Sequence, residues 1–389
     1  MTRLATVAAL LVAMSGCGGS TGFTEVTNDN AMAFEPSVAV FHDGFTVAWY
    51  DLRFGHGEIY EQSLDASAQR QGAETRLTTG TKDAYEADVH AVEGVPDGDA
   101  FAVGWYEKAG EGTYSARLGL WSRAGAARWI TTLSPHGRNT VVRVQDDLIF
   151  AAWVEDEAPP SAGLWTGWWN LKGDLVVTPR RIADAGKTTY NLNAAIVPGA
   201  PGRGVPTALV AFDTNVHTKA NEVFIAEDDG MNARVTRLTP DDGFSSAYPD
   251  LAVSRTRAAV TWFDEKDGNQ EVYLSVGTVG ALATPDALKT SRVTTTPGHS
   301  IGAYTAWSGD RLGLAWCDDT PGQHELYFAE FSATGEQKGD TRRITNTRPD
   351  SLIPAIHAYN RGWVLTWIEY EGSSHDEHGR SQVLLTLVP

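Results

Sequence analysis

The chain has 389 residues, with 31 Lys and Arg against 49 Asp and Glu and a formal net charge of −18. Such a surface repels nucleic-acid phosphates and anionic lipid headgroups, which excludes both as main partners. Beyond the first residues no hydrophobic run approaches membrane-spanning length, and helical periodicity is absent throughout.

In chain order, the first element is an export signal over residues 1–16: Arg3, the apolar run from Leu4 to Met14, then Ser15 and Gly16 before Cys17. The ending Met14-Ser15-Gly16-Cys17 resembles a bacterial lipoprotein signal, although Met14 stands where Leu is usual. The resemblance implies cleavage before Cys17, acylation of Cys17, and a linker over residues 17–22. It also implies a bacterial cell-envelope location. Gly18 lacks the aspartate that holds such proteins at the inner membrane, so the outer membrane is expected, on its periplasmic side or at the cell surface. Once Cys17 is acylated, Cys317 has no disulfide partner; it stands at a repeated apolar position and reads as a small buried hydrophobe.

From residue 23 to 389 a repeat takes over. Trp49, Trp105, Trp153, Phe212, Trp262, Trp316 and Trp367 each end a short hydrophobic strand, at spacings of 56, 48, 59, 50, 54 and 51 residues. Each is followed by an acid: Asp51, Glu107, Glu155, Asp264, Asp318 and Glu369 two residues on, and Asp213 offset by one. Third strands recur as Glu58-Ile59-Tyr60, Glu222-Val223-Phe224, Glu271-Val272-Tyr273 and Glu325-Leu326-Tyr327. Fourth strands recur as Arg76-Leu77-Thr78, Arg237-Leu238-Thr239, Arg292-Val293-Thr294 and Arg343-Ile344-Thr345. A period of this length is one four-stranded blade, which must stack on its neighbours to bury its faces. The fold class is therefore all-β: a seven-bladed β-propeller of four-stranded antiparallel blades. Five blades keep one register, with Pro36, Thr140, Pro249, Ala303 and Pro354 each 13 residues before the tryptophan.

The last blade runs out one strand short, and residues 23–27 match a fourth strand. The ring is thus predicted to close through the N-terminal strand, pairing against residues 382–388, which leaves no open blade edge. That strand runs toward the face bearing the second-to-third loops and the blade links. Cys17 then lies at the opposite face, and this distal face points away from the membrane.

Repetition of the acids, and of the third-strand glutamates with the fourth-strand arginines, marks them as structural: acceptors for backbone N–H groups of the following turn, partners of the repeated arginines, and cross-strand pairs. Candidate binding residues are those that depart from the repeat on the distal face: His136, Arg138, His217, His299, His375, His378, and Trp168, whose counterpart is Ser63 and which is expected to be exposed. The run His375-Asp376-Glu377-His378 carries metal-ligating residue types but reads as a solvated loop, so no metal or cofactor is expected. Gly298-His299-Ser300-Ile301-Gly302 matches the nucleophile-elbow pattern but lies in a blade link without the strand, turn and helix that chemistry needs.

Across residues 23–389 the repeat resembles the bacterial exported propellers that include sialidase-like, Tol-system-like and lectin-like members. The likeness is architectural: no S-x-D-x-G-x-T-W box occurs, so no catalytic residue is carried over. The sequence favours a monomeric, non-catalytic, membrane-anchored lipoprotein whose distal face binds a glycan or a protein. The alternative is a glycan-processing, sialidase-like hydrolase using distal carboxylates. Two acids and an arginine converging at the central channel would favour the enzyme; a flat polar face would favour binding.

Overall fold

The computed structural model describes residues 22–28, 31–156, 161–201, 204–371 and 380–389. The signal segment and Cys17 lie outside them, as do His375 and His378. The described residues form seven four-stranded antiparallel sheets. Blade 1 holds strands Ala33–Phe41, Gly44–Asp51, Glu58–Asp65 and Arg70–Arg76. Blades 2 to 6 repeat that order. Blade 7 takes Asp350–Tyr359, Gly362–Glu371 and Arg380–Val388 and is completed by Thr24–Glu25.

Closure follows the predicted pairing. Thr24 stands opposite Leu385 and Glu25 opposite Leu384, the Val26 amide donates to the Val383 carbonyl at 2.8 Å, and Phe23 meets Trp367 edge-on at 4.9 Å. The first turn of blade 1, His42-Asp43, lies at the face opposite that of the blade links. Thr24–Glu25 starts from that opposite half.

The repeat residues hold the frame. The indole N–H of Trp49 donates to Asp51 at 3.0 Å, that of Trp262 to Asp264 at 3.3 Å, and that of Trp367 to Glu369 at 2.8 Å. Glu271 pairs with Arg292 at 2.9 Å and Glu325 with Arg343 at 2.7 Å, each glutamate being fully buried. The Arg-x-Thr motif ends the fourth strand rather than lying wholly inside it. Arg76 is the last residue of its strand, and the Thr78 hydroxyl accepts the Ile59 amide at 2.9 Å. Thr239, Thr294 and Thr345 do the same for Val223, Val272 and Leu326. A threonine side chain thus takes over the ladder where the chain leaves the sheet, which is why this residue type repeats.

Apolar side chains fill the spaces between blades. One cluster joins Trp49 and Phe45 to Leu385 across the closure, and another joins Trp168 and Phe150 of blade 3 to Val210 and Phe212 of blade 4.

Candidate active site

The seven first strands surround the axis, and each meets its second strand through one recurring irregularity. Among the described residues, blades 1, 2, 3, 5, 6 and 7 carry a bulge near the distal end of the first strand, between Phe34 and Ser37, Tyr85 and Asp88, Arg138 and Val141, Ala247 and Asp250, Ile301 and Tyr304, and Leu352 and Ala355. Within each bulge one residue has left-handed backbone: Glu35 (φ 50°), Glu86 (48°), Asn139 (50°), Tyr248 (54°), Gly302 (61°) and Ile353 (52°). Glycine is the default residue for that conformation, and an L-residue there costs about 1–2 kcal/mol. Only Gly302 of the six takes the unstrained option. The other positions keep side chains despite the strain, and bulges of this kind re-aim side chains beside active sites.

What they are aimed into is the central channel, a cavity of about 890 Å³ lined by all six of these blades and by blade 4. Its deeper wall is a hydrogen-bonded belt. The Ser37 hydroxyl donates to Asp88 at 3.2 Å; Asp88 accepts from the Val142 amide and from Arg143, both at 2.7 Å. Arg143 reaches Asn193, Asn193 donates to Asp250, and Asp250 accepts the Thr305 amide at 2.6 Å. Burial pushes the Asp250 carboxyl up to about 6. The belt stitches blades 1 to 6 together and uses up most of its own donors and acceptors.

The distal mouth is different. Glu86 is held as an acceptor, with the Tyr106 hydroxyl on Oε1 at 2.6 Å and the Asn139 amide nitrogen on Oε2 at 3.0 Å. Asn139 is in turn held by Arg138, whose remaining donors bind Asp156 at 2.9 Å and the carbonyls of Thr189 and Gly186. Glu35, on the neighbouring blade, has a solvent-shielded Oε2 with no hydrogen-bond partner. Burial first, and the Glu86 charge second, push the Glu35 carboxyl well above the carboxylate range. Glu86 is also raised by burial, but the Tyr106 hydroxyl and the Arg138 charge pull it back. Two acids therefore meet at the channel, with Arg138 outside its lining behind Asn139, and their surroundings make the acids unequal.

Aromatic rings flank the pair. On one side Tyr370, Phe34, Tyr50, Tyr85, Tyr106 and Tyr114 succeed one another at centroid distances of 5.2–6.2 Å. On the other, Tyr190 and Tyr248 stack at 6.3 Å with an 8° interplanar angle, Phe263 lies behind Tyr248, and both tyrosines are exposed. A smaller hollow of about 530 Å³, lined by Glu61, Arg123 and Thr75 among others, has no aromatic wall and lies toward the opposite face.

Of the candidates named from sequence, Arg138 lies next to the mouth, where it positions Asn139 and is held by Asp156 and two backbone carbonyls. His136 is exposed at the turn before that strand, with its amide on Ser134 at 3.1 Å. His217 is exposed beside Asp184, at 3.4 Å, and the exposed His299 binds Asp319 through its amide at 2.6 Å. The structure does not gather these three histidines into the channel mouth. The expected exposure of Trp168 is corrected: it is fully buried and packs on Phe150 at 5.0 Å. Its counterpart Ser63 pairs with the buried Thr46, so the position faces inward in both blades and blade 3 fills it with an aromatic pair. Ser300, in the nucleophile-elbow match, is buried and donates to Asp318 at 2.7 Å, and Cys317 is buried with its thiol pushed up by burial.

Glu35, Glu86, Asn139 and Tyr248 were not singled out from sequence. The available signal was the residue just before the constant position 13 residues ahead of the tryptophan. There Glu35, Asn139, Tyr248, Gly302 and Ile353 differ in every blade while the next residue is proline in three of the five; Glu86, ahead of the lengthened hairpin of blade 2, falls outside that register.

No protein-family model matches the sequence, and no curated protein matches it. Among solved structures the chain is similar to a polysaccharide lyase of family PL25, an ulvan lyase bound to -[GlcA(1-4)Rha3S]-, with TM-score 0.58 and 10% identity over 93% of this chain and 95% of that one. It is similar also to an oligogalacturonate lyase in complex with manganese, with TM-score 0.53 and 13% identity over 94% and 93%. A prolyl endopeptidase matches at TM-score 0.52 and 10% identity over 90% of this chain and 47% of that one. At these identities the likeness is one of fold.

Proposed function

We propose that the distal channel mouth is the active site of a glycan-processing enzyme that hydrolyses glycosidic bonds. The observation that carries this reading is the unequal environment of Glu35 and Glu86. Hydrolysis of a glycoside needs one carboxyl that keeps its proton and one that has lost it, and environments that push two neighbouring acids apart supply both at one pH. Glu35, desolvated and without a partner, is the acid that donates its proton to the glycosidic oxygen as the C–O bond breaks. Glu86, fixed by Tyr106 and Asn139, is the carboxylate. It either takes a proton from the water that adds to the anomeric carbon, or attacks that carbon first and is released by water. The tyrosines at the mouth offer flat apolar faces for sugar rings to stack on. Two of the propellers of similar fold are lyases of glycans, which supports a sugar substrate and not the mechanism.

The test is the split between the two acids on aryl glycosides. Reducing-end release from a panel of polysaccharides identifies a substrate, and Glu35→Gln and Glu86→Gln should each abolish it. With a 2,4-dinitrophenyl glycoside, whose leaving group needs no proton, Glu35→Gln should recover while Glu86→Gln stays inactive. Turnover by both variants at the parental rate refutes the assignment.

A non-catalytic glycan lectin is the second reading, favoured by the exposed Tyr190 and Tyr248 stack; binding without turnover by the parent would decide for it. We propose in addition that Cys17 anchors the chain in the outer membrane with the mouth facing away. The start of Thr24–Glu25 in the half opposite the mouth supports that orientation. Cys17→Ser should release the protein from membranes, and unchanged membrane fractionation refutes the anchor.

A further inference from the structure

The charges of the channel carry an inference about substrate class, which rests on the reading of the mouth as a glycan site. Four carboxyl groups line the cavity: Glu35, Glu86, Asp88 and Asp250. The basic side chains that line it are Arg143, His90 and His357. Arg143 is consumed by the belt, with Nε on the Ala194 carbonyl at 2.6 Å, Nη1 on Asp88 at 2.7 Å and on the Val142 carbonyl, and Nη2 on Asn193. His90 and His357 are held neutral, since burial and the nearby Arg143 charge keep both near 4. Arg138, next to the mouth, has its donors on Asp156, Asn139 and two carbonyls.

An anionic sugar entering this space loses its hydration and meets carboxyl groups, with no unengaged cation among the described lining residues to replace the water it gives up. A neutral sugar meets hydrogen-bond acceptors for its hydroxyls and the stacked faces of Tyr190 and Tyr248. Specificity built from a repulsive element in this way rejects the wrong ligand without needing extra contacts to the right one. The ulvan lyase of the same fold holds a chain containing GlcA, a uronate.

We propose that the channel mouth takes a neutral glycan chain and excludes uronate- and sulfate-bearing ones, with the Glu86 carboxylate as the specificity-determining charge.

Matched probes test this. Hexagalacturonate and its carboxyl-reduced form share one linkage and differ in charge; xylohexaose and arabinohexaose serve as further neutral probes. Calorimetric titration of the full-length protein at pH 7 should show the reduced hexasaccharide binding at least about tenfold more tightly than the acid. The Glu35→Gln/Glu86→Gln double variant should narrow that ratio at least about fivefold. If the double variant does not fold, the parent serves instead, because raising the salt from 50 to 500 mM should narrow its ratio by screening. Equal or tighter binding of the acid form overturns the charge selection, as does a ratio unmoved by both the double variant and salt. Absence of binding by every neutral probe overturns the glycan reading of the mouth itself.

Discussion

Two sets of carboxylates share this ring, and they obey opposite rules. In the frame set, which includes Glu58, Glu271 and Glu325, the residue type repeats from blade to blade, each acid pairs with the repeat arginine, and Glu58 and Glu271 also accept from the repeat threonine. In the mouth set the backbone repeats and the residue does not. The bulge with its left-handed residue recurs in six blades among the described residues, yet it carries Glu, Glu, Asn, Tyr, Gly and Ile in turn. A repeated residue in a repeated place is maintained by the frame. A variable residue on a repeated, strained backbone is free to be fitted to something that enters from outside.

The sharpest way to break this comparison is to remove one acid from each set. Glu86→Gln keeps the size of the side chain and should lower the turnover of whichever glycan the parent cleaves by about 10³-fold, with little change in melting temperature. Glu271→Ala should do the reverse. It leaves the buried Thr294 hydroxyl without its acceptor and takes one of two carboxylates from Arg292, which keeps Asp267, and should cost about 2 kcal/mol, read by denaturant unfolding, while kcat of the remaining folded protein stays within about twofold. If Glu86→Gln unfolds the ring, or Glu271→Ala abolishes turnover in a stable protein, the division between frame and mouth fails.

The frame was legible in the sequence because it is written seven times. Spacing of the tryptophans gave the blades, and the missing last strand gave the closure by residues 23–27. Repetition also assigned the acids near the tryptophans to structure correctly, as the Trp49 to Asp51 bond bears out. The mouth was not legible by that method. A bulge leaves no motif, since its left-handed residue is defined by φ and any side chain can occupy it at a cost. Searching the loops for histidines found exposed residues, whereas the informative column was the one beside Pro36, Pro249 and Pro354. Trp168 differs from its expected exposure for a related reason: a polar counterpart, Ser63, does not make the position an outward one, because the Thr46 opposite it is buried.

A smaller effect separates the two sets through pH. A raised carboxyl pKa means that the folded state binds a proton the unfolded chain gives up, so stability falls as pH rises from the ordinary carboxylate range through the raised value. Glu35 and Asp250 both act in this direction, by burial. These acids tilt stability toward low pH, whereas His90 and His357, held near 4, tilt it toward high pH, so the Glu35 share is read as the difference between the parent and Glu35→Gln. Glu35→Gln, neutral at every pH, should flatten part of that slope and raise melting at pH 8 by roughly 2 °C. A Glu35→Gln variant whose melting temperature differs from the parent's by the same amount at pH 5 and pH 8 contradicts the assignment of a protonated Glu35, and with it the acid role.

The smallest expected effects belong to the distal histidines, and they delimit the mouth from outside. His217 and His299 lie exposed at the rim, and each contacts an acid, Asp184 or Asp319, by way of its ring or its amide. Replacing either with alanine removes no buried group and keeps the amide, so unfolding free energy should move by no more than about 0.5 kcal/mol. Neither side chain lines the channel, so turnover should also stay within about twofold. Tyr248→Ala is the matching control, because it removes one wall of the stacked pair beside the acids and should raise KM with kcat little changed. If the histidine variants raise KM as much as Tyr248→Ala does, substrate contacts spread across the whole distal face, and the site is a broad surface instead of the channel mouth.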